Sequence, residues 1–304
     1  MTVPYLSLAL LLFAGPALTA ADDLESAFQN LKDAEAKKDA AEVKKLAAEV
    51  HALASKELAA PAPTDADEKD AYTKHAAYVK EIDVHSEYSL YATAVQSLPE
   101  TLVDLMAALE EQNPKSQYLD MGYGQYLVAV GQTGGTAKVP AMAEKALANF
   151  PNNQDLLIVL ADNAMTKKQP DRAVTYATRL TSTLPKKAKP EGMSAADWER
   201  IRSAALGHGY WIAGVIHGEQ GKYANADKEL RAALPLIKGN EAMLGPALFY
   251  LGLADYQLGK MTLNKAQVLD CAKFSLQAAG MNSPFAQQAQ HNALVCQSEA
   301  AKMR

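Results

Sequence analysis

The stretch "YWIAGVIHGEQGKYANADKELRAAL", residues 210–234, decides the predicted fold of this chain. Gly221 ends a first apolar helical pattern, and Tyr223 begins a second one. Glycine is common just after a helix because it adopts the left-handed backbone conformation at little steric cost. Small and large apolar residues recur at helical spacing along the second segment and predict its buried face: Ala226, Leu230 and Ala233. The stretch therefore predicts two helices joined by a tight turn.

Similar units recur along the chain with a period close to 34 residues. Pro114, Pro151 and Pro185 each follow a helical pattern, at intervals of 37 and 34 residues. Pro99 and Pro170 lie fifteen residues before a terminal proline and begin second helices, where a missing N–H costs little. A fixed period of this length indicates stacked helical hairpins. The predicted copies are 83–114, 120–151, 154–185, 207–240 and 245–284, followed by a capping helix at 285–302.

The aligned positions resemble the tetratricopeptide repeat family, whose unit is a helix–turn–helix of about 34 residues. In residues 210–234 the matching positions are Tyr210, Ala213, Gly214, Gly221, Tyr223, Ala226, Leu230 and Ala233. In the last copy they are Leu248, Leu251, Gly252 and Gly259, and then, after about eight extra residues, Ala272, Leu276, Ala279 and Pro284. The chain departs from the family at His217, where tyrosine is usual, and at Lys238, where proline is usual. The resemblance implies an all-α solenoid coiled as a right-handed superhelix.

The region before the repeats has its own predicted organisation. Residues 22–58 are rich in Ala, Lys, Glu and Leu, which favour helices, and they predict an N-terminal helical hairpin. The segment "AAPAPTDADE", residues 59–68, has the composition of a linker. Residues 69–304 then form the predicted repeat domain, with residues 185–202 as an insertion between two copies.

The first twenty residues, "MTVPYLSLALLLFAGPALTA", contain no charged side chain and have the pattern of a secretory signal peptide. The apolar run from Leu6 to Ala14 is short for a membrane span, and small residues follow it. We therefore predict cleavage after Ala20 or Ala21 and export to the periplasm or the medium, with no stable membrane insertion afterwards. The segment differs from the usual signal peptide in having no Lys or Arg near its start. The alternative is an uncleaved anchor, but the apolar run is short for a membrane span and two prolines flank it.

Cys271 and Cys296 are the two cysteines of the chain. The turn near residues 280–284 lies at a similar distance from both, so a helical hairpin places them at a similar height. In an oxidising compartment they form a disulfide that holds the capping helix, whereas the alternative is two buried free thiols. The geometry of the pair distinguishes these two interpretations.

Composition and motifs argue against several classes of function. The net charge of −5 over 304 residues shows no basic stripe, so we expect no binding to nucleic acid. The segment "GQTGGTAK", residues 131–138, lacks the Gly-Lys-Ser/Thr of a phosphate loop and is predicted to be a turn. No Gly-x-Ser-x-Gly or His-Glu-x-x-His occurs. We expect no enzyme activity, no metal site and no cofactor.

The resemblance implies a concave groove lined by first helices, which in this family holds extended peptides or helices of partner proteins. Carrying the family's groove positions over to this sequence gives Tyr88, Tyr91, Gln125, Asp162, Met165, His208, Trp211, Val215, Phe249, Tyr250 and Tyr256. Aromatic residues dominate this set, which favours an apolar or proline-rich partner. The alternative for each residue is packing between neighbouring units.

Three hypotheses about function follow. The first is an exported scaffold or adaptor that binds another protein or an extended peptide without chemistry. The second is a self-associating structural protein of the envelope, in which residues 22–58 pair with a second copy. The third, less favoured, is an enzyme or small-ligand carrier built on a helical solenoid.

Overall fold

The computed structural model describes residues 17–190 and 192–303. This part of the chain consists of α-helices joined by turns and short 3₁₀ and π-helical segments, with no β-strand, which confirms the predicted all-α fold class. None of its helices combines the length and the apolar character that a membrane span requires. Residues 1–16 of the predicted signal peptide lie outside the described residues. The chain divides into two compact units, Met1–Ala137 and Lys138–Arg304.

The first unit is a stack of helical hairpins. Its helices are α1 (Ala17–Lys37), α2 (Ala40–Leu58), α3 (Ala66–Ala94), α4 (Pro99–Gln112) and α5 (Gln117–Val130). Each helix packs against its neighbour in sequence, and α1 also packs against α3, as α3 does against α5. The first helices of successive hairpins therefore stand side by side, which is a helical-repeat arrangement.

The ends of these helices follow from local sequence. The Asp39 side chain accepts a hydrogen bond from the backbone N–H of Glu42 and so caps α2. Helix α3 begins at Ala66, inside the segment predicted to be a linker, and runs without a break into the first predicted copy. After α5, a π-helical segment at Gly131–Gly135 and a 3₁₀ turn at Thr136–Lys138 change the chain direction, with Gly134 at a φ of 86°. The glycine-rich motif is thus a kinked turn.

The second unit continues the hairpin pattern. Its helices are α6 (Val139–Leu147), α7 (Gln154–Thr166), α8 (Pro170–Thr183), α9 (Ala195–Glu219), α10 (Tyr223–Ala233), α11 (Glu241–Thr262), α12 (Lys265–Ala279) and α13 (Ala286–Lys302). The alternate helices α7, α9, α11 and α13 pack against one another in that order. This unit is again a helical-repeat stack.

The stretch that predicted the fold forms the hairpin of α9 and α10. Gly221 has a φ of 70°, and the predicted buried face of α10 is fully buried at Ala226, Leu230 and Ala233. A Cβ atom added to Gly214 would lie 2.7 Å from Cγ and Cδ2 of Leu230. The absence of a side chain at Gly214 therefore lets α9 and α10 approach closely.

The last hairpin differs from its prediction in two ways. Gly259 matches the helix-ending Gly221 of the preceding copy, but it lies inside α11, which continues to Thr262. Helix α12 starts at Lys265, so the extra residues lengthen both helices. The buried face of α12 also agrees only in part with the repeat pattern. Of the three matching positions on this helix, Ala272 is buried, whereas Leu276 is 45% exposed and Ala279 is only partly buried. The other buried residues of α12 are Val268, Cys271, Phe274, Ser275 and Ala278. The longer helices bring Ser275, and not Leu276, against Gly252.

The predicted insertion at residues 185–202 is only partly irregular. Its second half is the first two turns of α9, which begins at Ala195 and buries Trp198 in the core. The Ser194 hydroxyl accepts from the backbone N–H of Asp197 at 3.0 Å and donates to the Asp197 carboxylate at 2.7 Å. This reciprocal cap explains where the helix starts.

A disulfide joins Cys271 on α12 to Cys296 on α13. The two Cα atoms lie 6.1 Å apart, and both side chains are buried. The bond therefore ties the capping helix to the hairpin before it. On the other side of α13, the exposed residues are mainly polar, including Gln287, Gln290 and His291.

Candidate binding surfaces

One side of α3 in the first unit exposes apolar side chains. Val84 and Tyr88 are exposed, the latter to 44%, and Tyr91 is partly buried beside them. Spacings of four and three residues place these three side chains on one side of a helix. The other side of α3 is core, with Ile82 and Leu90 buried. Helix α3 thus carries apolar residues on its buried face and also on its exposed face.

Helix α5 extends this apolar side. Met121, Gln125 and Val128 are exposed, Val128 to 60%, and they are also spaced by four and three residues. The Tyr118 ring connects the two helices, since its centroid lies 5.6 Å from that of Tyr88 and 5.8 Å from that of Tyr91. We call this region the tyrosine surface and define it by seven residues: Val84, Tyr88, Tyr91, Tyr118, Met121, Gln125 and Val128.

Gly122 lies where the two helices of the tyrosine surface meet. A Cβ atom added to Gly122 would lie 3.3 Å from the Tyr91 ring and 2.5 Å from the end of the Met106 side chain. The Tyr91 ring therefore lies against the backbone of α5. Burial, together with the nearby Tyr88, raises the pKa of Tyr91. Its hydroxyl consequently stays protonated and keeps a hydrogen to donate.

Helix α1 adds a polar and aromatic group beside the tyrosine surface. The His85 ring lies edge-on to Phe28 at 5.1 Å and to Tyr88 at 5.9 Å. Its Nε2 atom is 3.1 Å from Oε1 of Glu35, which also accepts a hydrogen bond from the Ser89 hydroxyl. Burial favours the neutral acid, but the hydrogen bonds from His85 and Ser89 and the charge of Lys32 outweigh it, so the pKa of Glu35 is lowered.

The tyrosine surface contains three of the residues predicted for a groove: Tyr88, Tyr91 and Gln125. Sequence reasoning missed Val84, Tyr118, Met121 and Val128. The spacing of the exposed residues on α3 and α5 carries a signal, because each helix has a second apolar stripe besides its buried one. This second stripe was missed because the apolar residues of the buried face dominate the pattern of the same helices.

In the second unit, α7 and α9 bring another predicted group together. Nε2 of His208 lies 2.7 Å from Oδ1 of Asp162, and the Trp211 ring lies edge-on to His208 at 6.1 Å. The Trp211 indole Nε1 donates a 2.8 Å hydrogen bond to the backbone carbonyl of Met243 on α11. Met165 packs against the core between these helices.

Phe249 and Tyr250 form an aromatic cluster with Phe285, just before α13. The Phe249 and Phe285 rings stack at 4.7 Å, and Tyr250 meets Phe285 at 5.6 Å. The Tyr250 hydroxyl donates to Glu219 at 3.4 Å, and burial together with that carboxylate raises the pKa of Tyr250 to about 12. All three rings are partly buried and connect the α11 helix to the start of the cap.

Two predicted groove residues of the second unit are placed in packing roles. Val215 is only 4% exposed and belongs to the core that α9 forms with α10 and α11, which removes it from the candidate surface. Its helix is buried on several sides, because α7, α8, α10 and α11 all pack against α9. Tyr256 is partly buried and packs against the cluster around the disulfide.

Five of the six histidines form pairs with carboxylates that no local motif indicates. Besides the two pairs above, His51 lies 2.7 Å from Asp83, His75 lies 2.9 Å from Glu57, and His217 lies 2.6 Å from Glu229. The partners are 12 to 50 residues apart in sequence, so only the packing of helices brings them together. Within residues 17–190 and 192–303, no group of three or more His, Cys, Asp or Glu side chains is placed to hold a metal ion.

Comparison with models of known protein families and with curated proteins finds no match to this sequence. The evidence for the tyrosine surface, and for the group around His208 and Trp211, is therefore their geometry alone.

Proposed function

We propose that this chain is an exported, tetratricopeptide-like adaptor that binds another protein or an extended peptide and performs no chemistry itself. The observation that carries the proposal is the tyrosine surface, in which two adjacent helices expose apolar side chains around three contacting tyrosine rings. Exposed apolar residues are ordinary when they are scattered, but a contiguous group of them is typical of an interaction site.

The chemistry of the tyrosine surface suits protein recognition. Tyrosine combines a large apolar area with a hydroxyl that can donate or accept, and it is enriched among the residues that dominate binding energies. Tyr118 contacts both Tyr88 and Tyr91, so the three rings restrict one another before a partner arrives. Rings that are already ordered lose less conformational entropy on binding.

Two observations support export. The first twenty residues have the uncharged, apolar pattern of a secretory signal. The disulfide between Cys271 and Cys296 is a bond that forms and persists in oxidising compartments and is rare in the cytosol. Neither observation depends on the other, and both favour a protein of the periplasm or the medium.

The test is to express the full-length, affinity-tagged chain in its own host, crosslink the cells, and identify the retained proteins in each fraction. We expect one defined partner, recovered with mature chain whose N-terminus begins after Ala20 or Ala21. The variant Val84→Ser/Tyr88→Ala should reduce its recovery at least tenfold. The matched control is Leu98→Ser, because Leu98 is also an apolar residue of this unit and is 75% exposed, but it lies before α4.

Three results would count against the proposal. Equal recovery of the partner by Val84→Ser/Tyr88→Ala would remove the tyrosine surface as the binding site. Recovery of a second copy alone, with a mass that falls on dilution, would favour self-association. Cytosolic recovery of a chain that retains residues 1–20 would overturn export.

A further inference from the structure

The turn between α11 and α12 exposes two large apolar side chains. Met261 is 74% exposed and Leu263 is 81% exposed. They lie at the end of the hairpin whose helices are lengthened by the extra residues of the last copy. We call Met261 and Leu263 the apolar tip.

Leu263 occupies a backbone position where an apolar residue is unusual. Its φ is 55°, in the left-handed region, and the N–H of the next residue, Asn264, donates to the carbonyl of Gly259, five residues before it. Glycine is the usual residue at such a helix end, because a Cβ atom raises the energy of this conformation. The Leu263 side chain therefore costs free energy in its backbone conformation and also in its exposure to water.

Three other hairpin turns have the same geometry with different residues. The left-handed residue is Lys38 between α1 and α2, Lys168 between α7 and α8, and Gly221 between α9 and α10. At each turn the N–H of the following residue donates to a carbonyl five residues before it, as it does after Leu263. The geometry of the turn thus does not require a leucine, and the side chain of Leu263 is available for another role.

The exposed face of α12 continues the apolar tip. Lys265, Leu269, Lys273 and Leu276 are all exposed, and their spacings of four, four and three residues place them on one side of the helix. We call these four residues the lysine–leucine stripe. Lys265 comes two residues after Leu263, so the stripe begins at the tip. Helix α12 packs against α11 and α13 with its other residues.

Positive charge alternates with the leucines of the stripe. Helix α12 has one acidic residue, Asp270, and it lies about 100° around the helix from Leu269. Nζ of Lys265 donates to the backbone carbonyl of Met303 at 2.9 Å, which leaves two of its three hydrogens for another acceptor. The stripe is therefore a basic and apolar face.

The two units of the chain differ in their overall charge. Residues 138–304 contain 20 Lys and Arg against 14 Asp and Glu, whereas residues 1–137 contain 10 against 21. The apolar tip and the lysine–leucine stripe thus belong to the unit with an excess of positive charge. A surface of this composition is complementary to a partner that is anionic outside and apolar inside.

We propose that the apolar tip and the lysine–leucine stripe bind the surface of an anionic lipid bilayer. The apolar side chains enter the boundary between headgroups and acyl chains, and Lys265 and Lys273 reach the headgroup phosphates, as in amphipathic helices that lie in a membrane interface. A bilayer suits the tip because it can surround a projecting side chain, whereas a flat protein surface covers one side of it. The inference goes beyond the proposed function, and it uses no residue of the tyrosine surface.

Sedimentation with lipid vesicles tests the inference. The probes are vesicles of equimolar phosphatidylglycerol and phosphatidylcholine, and vesicles of phosphatidylcholine alone. All proteins are purified from the host in the same form, so that any contribution of residues 1–21 is common to them. We expect partition onto the anionic vesicles to be at least about tenfold stronger than onto the neutral ones, because the lysines attract anionic headgroups. High salt should weaken it.

The variant Leu263→Gly separates lipid binding from folding. Glycine adopts the left-handed conformation readily, so the variant should be at least as stable as the wild type in urea denaturation. It should nevertheless partition about tenfold more weakly, because a leucine side chain no longer leaves water. The matched control is Leu98→Ser, since Leu98 is exposed to a similar degree but belongs to the first unit.

A charge reversal tests the lysines of the stripe. Lys265→Glu/Lys273→Glu should lower partition onto the anionic vesicles at least about tenfold. Lys222→Glu/Lys228→Glu makes the same change in net charge at exposed positions at the start and middle of the α10 segment. This control should lower partition less than about threefold, because its residues lie outside the tip and the stripe.

Three results would overturn the inference: no sedimentation of the wild type with either kind of vesicle, equal partition onto both kinds, or equal partition of the wild type, Leu263→Gly and Lys265→Glu/Lys273→Glu. A mass that falls on dilution without lipid, and that these variants lower, would assign the face to a second copy instead.

The variant Val84→Ser/Tyr88→Ala distinguishes this inference from the proposed function. It should partition onto vesicles as the wild type does, because the tyrosine surface takes no part in lipid binding. Loss of vesicle binding with retained capture of the partner contradicts only the inference. Retained vesicle binding without any captured partner contradicts only the adaptor function.

Discussion

Arg231 and Asp255 form an ion pair in which the carboxylate is fully buried. Nη2 of Arg231 lies 2.7 Å from Oδ1 and 2.9 Å from Oδ2 of Asp255, and Gln267 donates to the same Oδ1 at 3.2 Å. These residues belong to α10, α11 and α12, so one carboxylate connects three consecutive helices of the second unit. Asp227 also accepts from Arg231, at 2.7 Å, and holds the guanidinium in place.

We expect Arg231→Met to lower the free energy of unfolding by about 2–3 kcal/mol, because it leaves the buried Asp255 carboxylate without its counter-charge. Adding Asp255→Asn should recover part of this loss, since a neutral amide costs less to bury. Urea denaturation measures both. Arg200→Met is the control, as Arg200 pairs with Asp197 on an exposed surface and should change stability by less than about 0.5 kcal/mol. A loss no larger than that of the control would contradict the structural role of the buried pair.

The stability of the second unit should depend on the ionisation of Asp255. Burial raises the pKa of Asp255 to about 6, although Arg231 and Gln267 oppose this shift. The folded carboxyl thus binds its proton more tightly than the unfolded one, and its stabilising contribution is lost as pH rises through about 6. Between pH 7 and pH 5, the wild type should gain about 1 kcal/mol relative to Asp255→Asn. Parallel pH profiles of the two proteins would contradict this prediction.

Removing the disulfide should destabilise the C-terminal hairpin. The bond closes a segment with a sequence separation of 25, which restricts the unfolded chain by about 3.5 kcal/mol in the chain-entropy description. We expect Cys271→Ala/Cys296→Ala to lose about this amount in urea denaturation. A reductant should bring the wild type to a similar stability and leave the double variant unchanged. If the reductant alters neither protein, the two cysteines are not bonded in solution.

Gly214→Ala should destabilise the second unit by about 1–3 kcal/mol, because the new methyl group would overlap the Leu230 side chain. Gly131→Ala is the matched control. Gly131 has φ −61° and ψ −45°, and its added Cβ would find its nearest neighbour at 3.8 Å. That substitution should leave stability unchanged or raise it by up to about 1 kcal/mol. Thermal denaturation of both variants would test the close contact of α9 with α10.

Serine substitutions on the tyrosine surface should separate binding from folding. Val84, Met121 and Val128 are exposed, so changing each to serine should alter the free energy of unfolding by no more than about 0.5 kcal/mol. The triple variant should nevertheless lose capture of the partner. A large loss of stability would show that these side chains belong to the core and would remove the evidence for a binding surface.

The repeated hairpins could be predicted from sequence because their signals are local. Gly221 and the small residues of α10 specify a turn and a close helix contact within one short segment. The same reasoning succeeded for only part of α12, where Ala272 is buried but Leu276, which matches the buried Leu230 in the repeat pattern, is exposed. The helix boundary moved with the longer α11, and a shift by one residue rotates a helical side chain by about 100°. The residues that α12 buries therefore depend on where α11 ends and α12 begins, and the repeat period does not specify these boundaries.

The candidate surfaces were only partly predictable. Tyr88 and Tyr91 were indicated by their place on a first helix, but Tyr118 meets them only because α5 packs against α3, with Gly122 next to the Tyr91 ring. Val215 occupies a comparable place on its helix and is buried, since α10 and α11 cover that part of α9. Exposure depends on neighbouring helices and cannot be obtained from one helix alone.

The sequence by itself determined the helices, their turns and the period with which hairpins follow one another. These properties depend on backbone preferences and on apolar spacing within a few residues. Tertiary structure alone decided which side chains meet across helices, such as His85 with Glu35 and His208 with Asp162, and it decided between a disulfide and two free thiols for Cys271 and Cys296. The physical reason is that such contacts depend on the relative rotation and spacing of packed helices, which close packing of the whole unit sets.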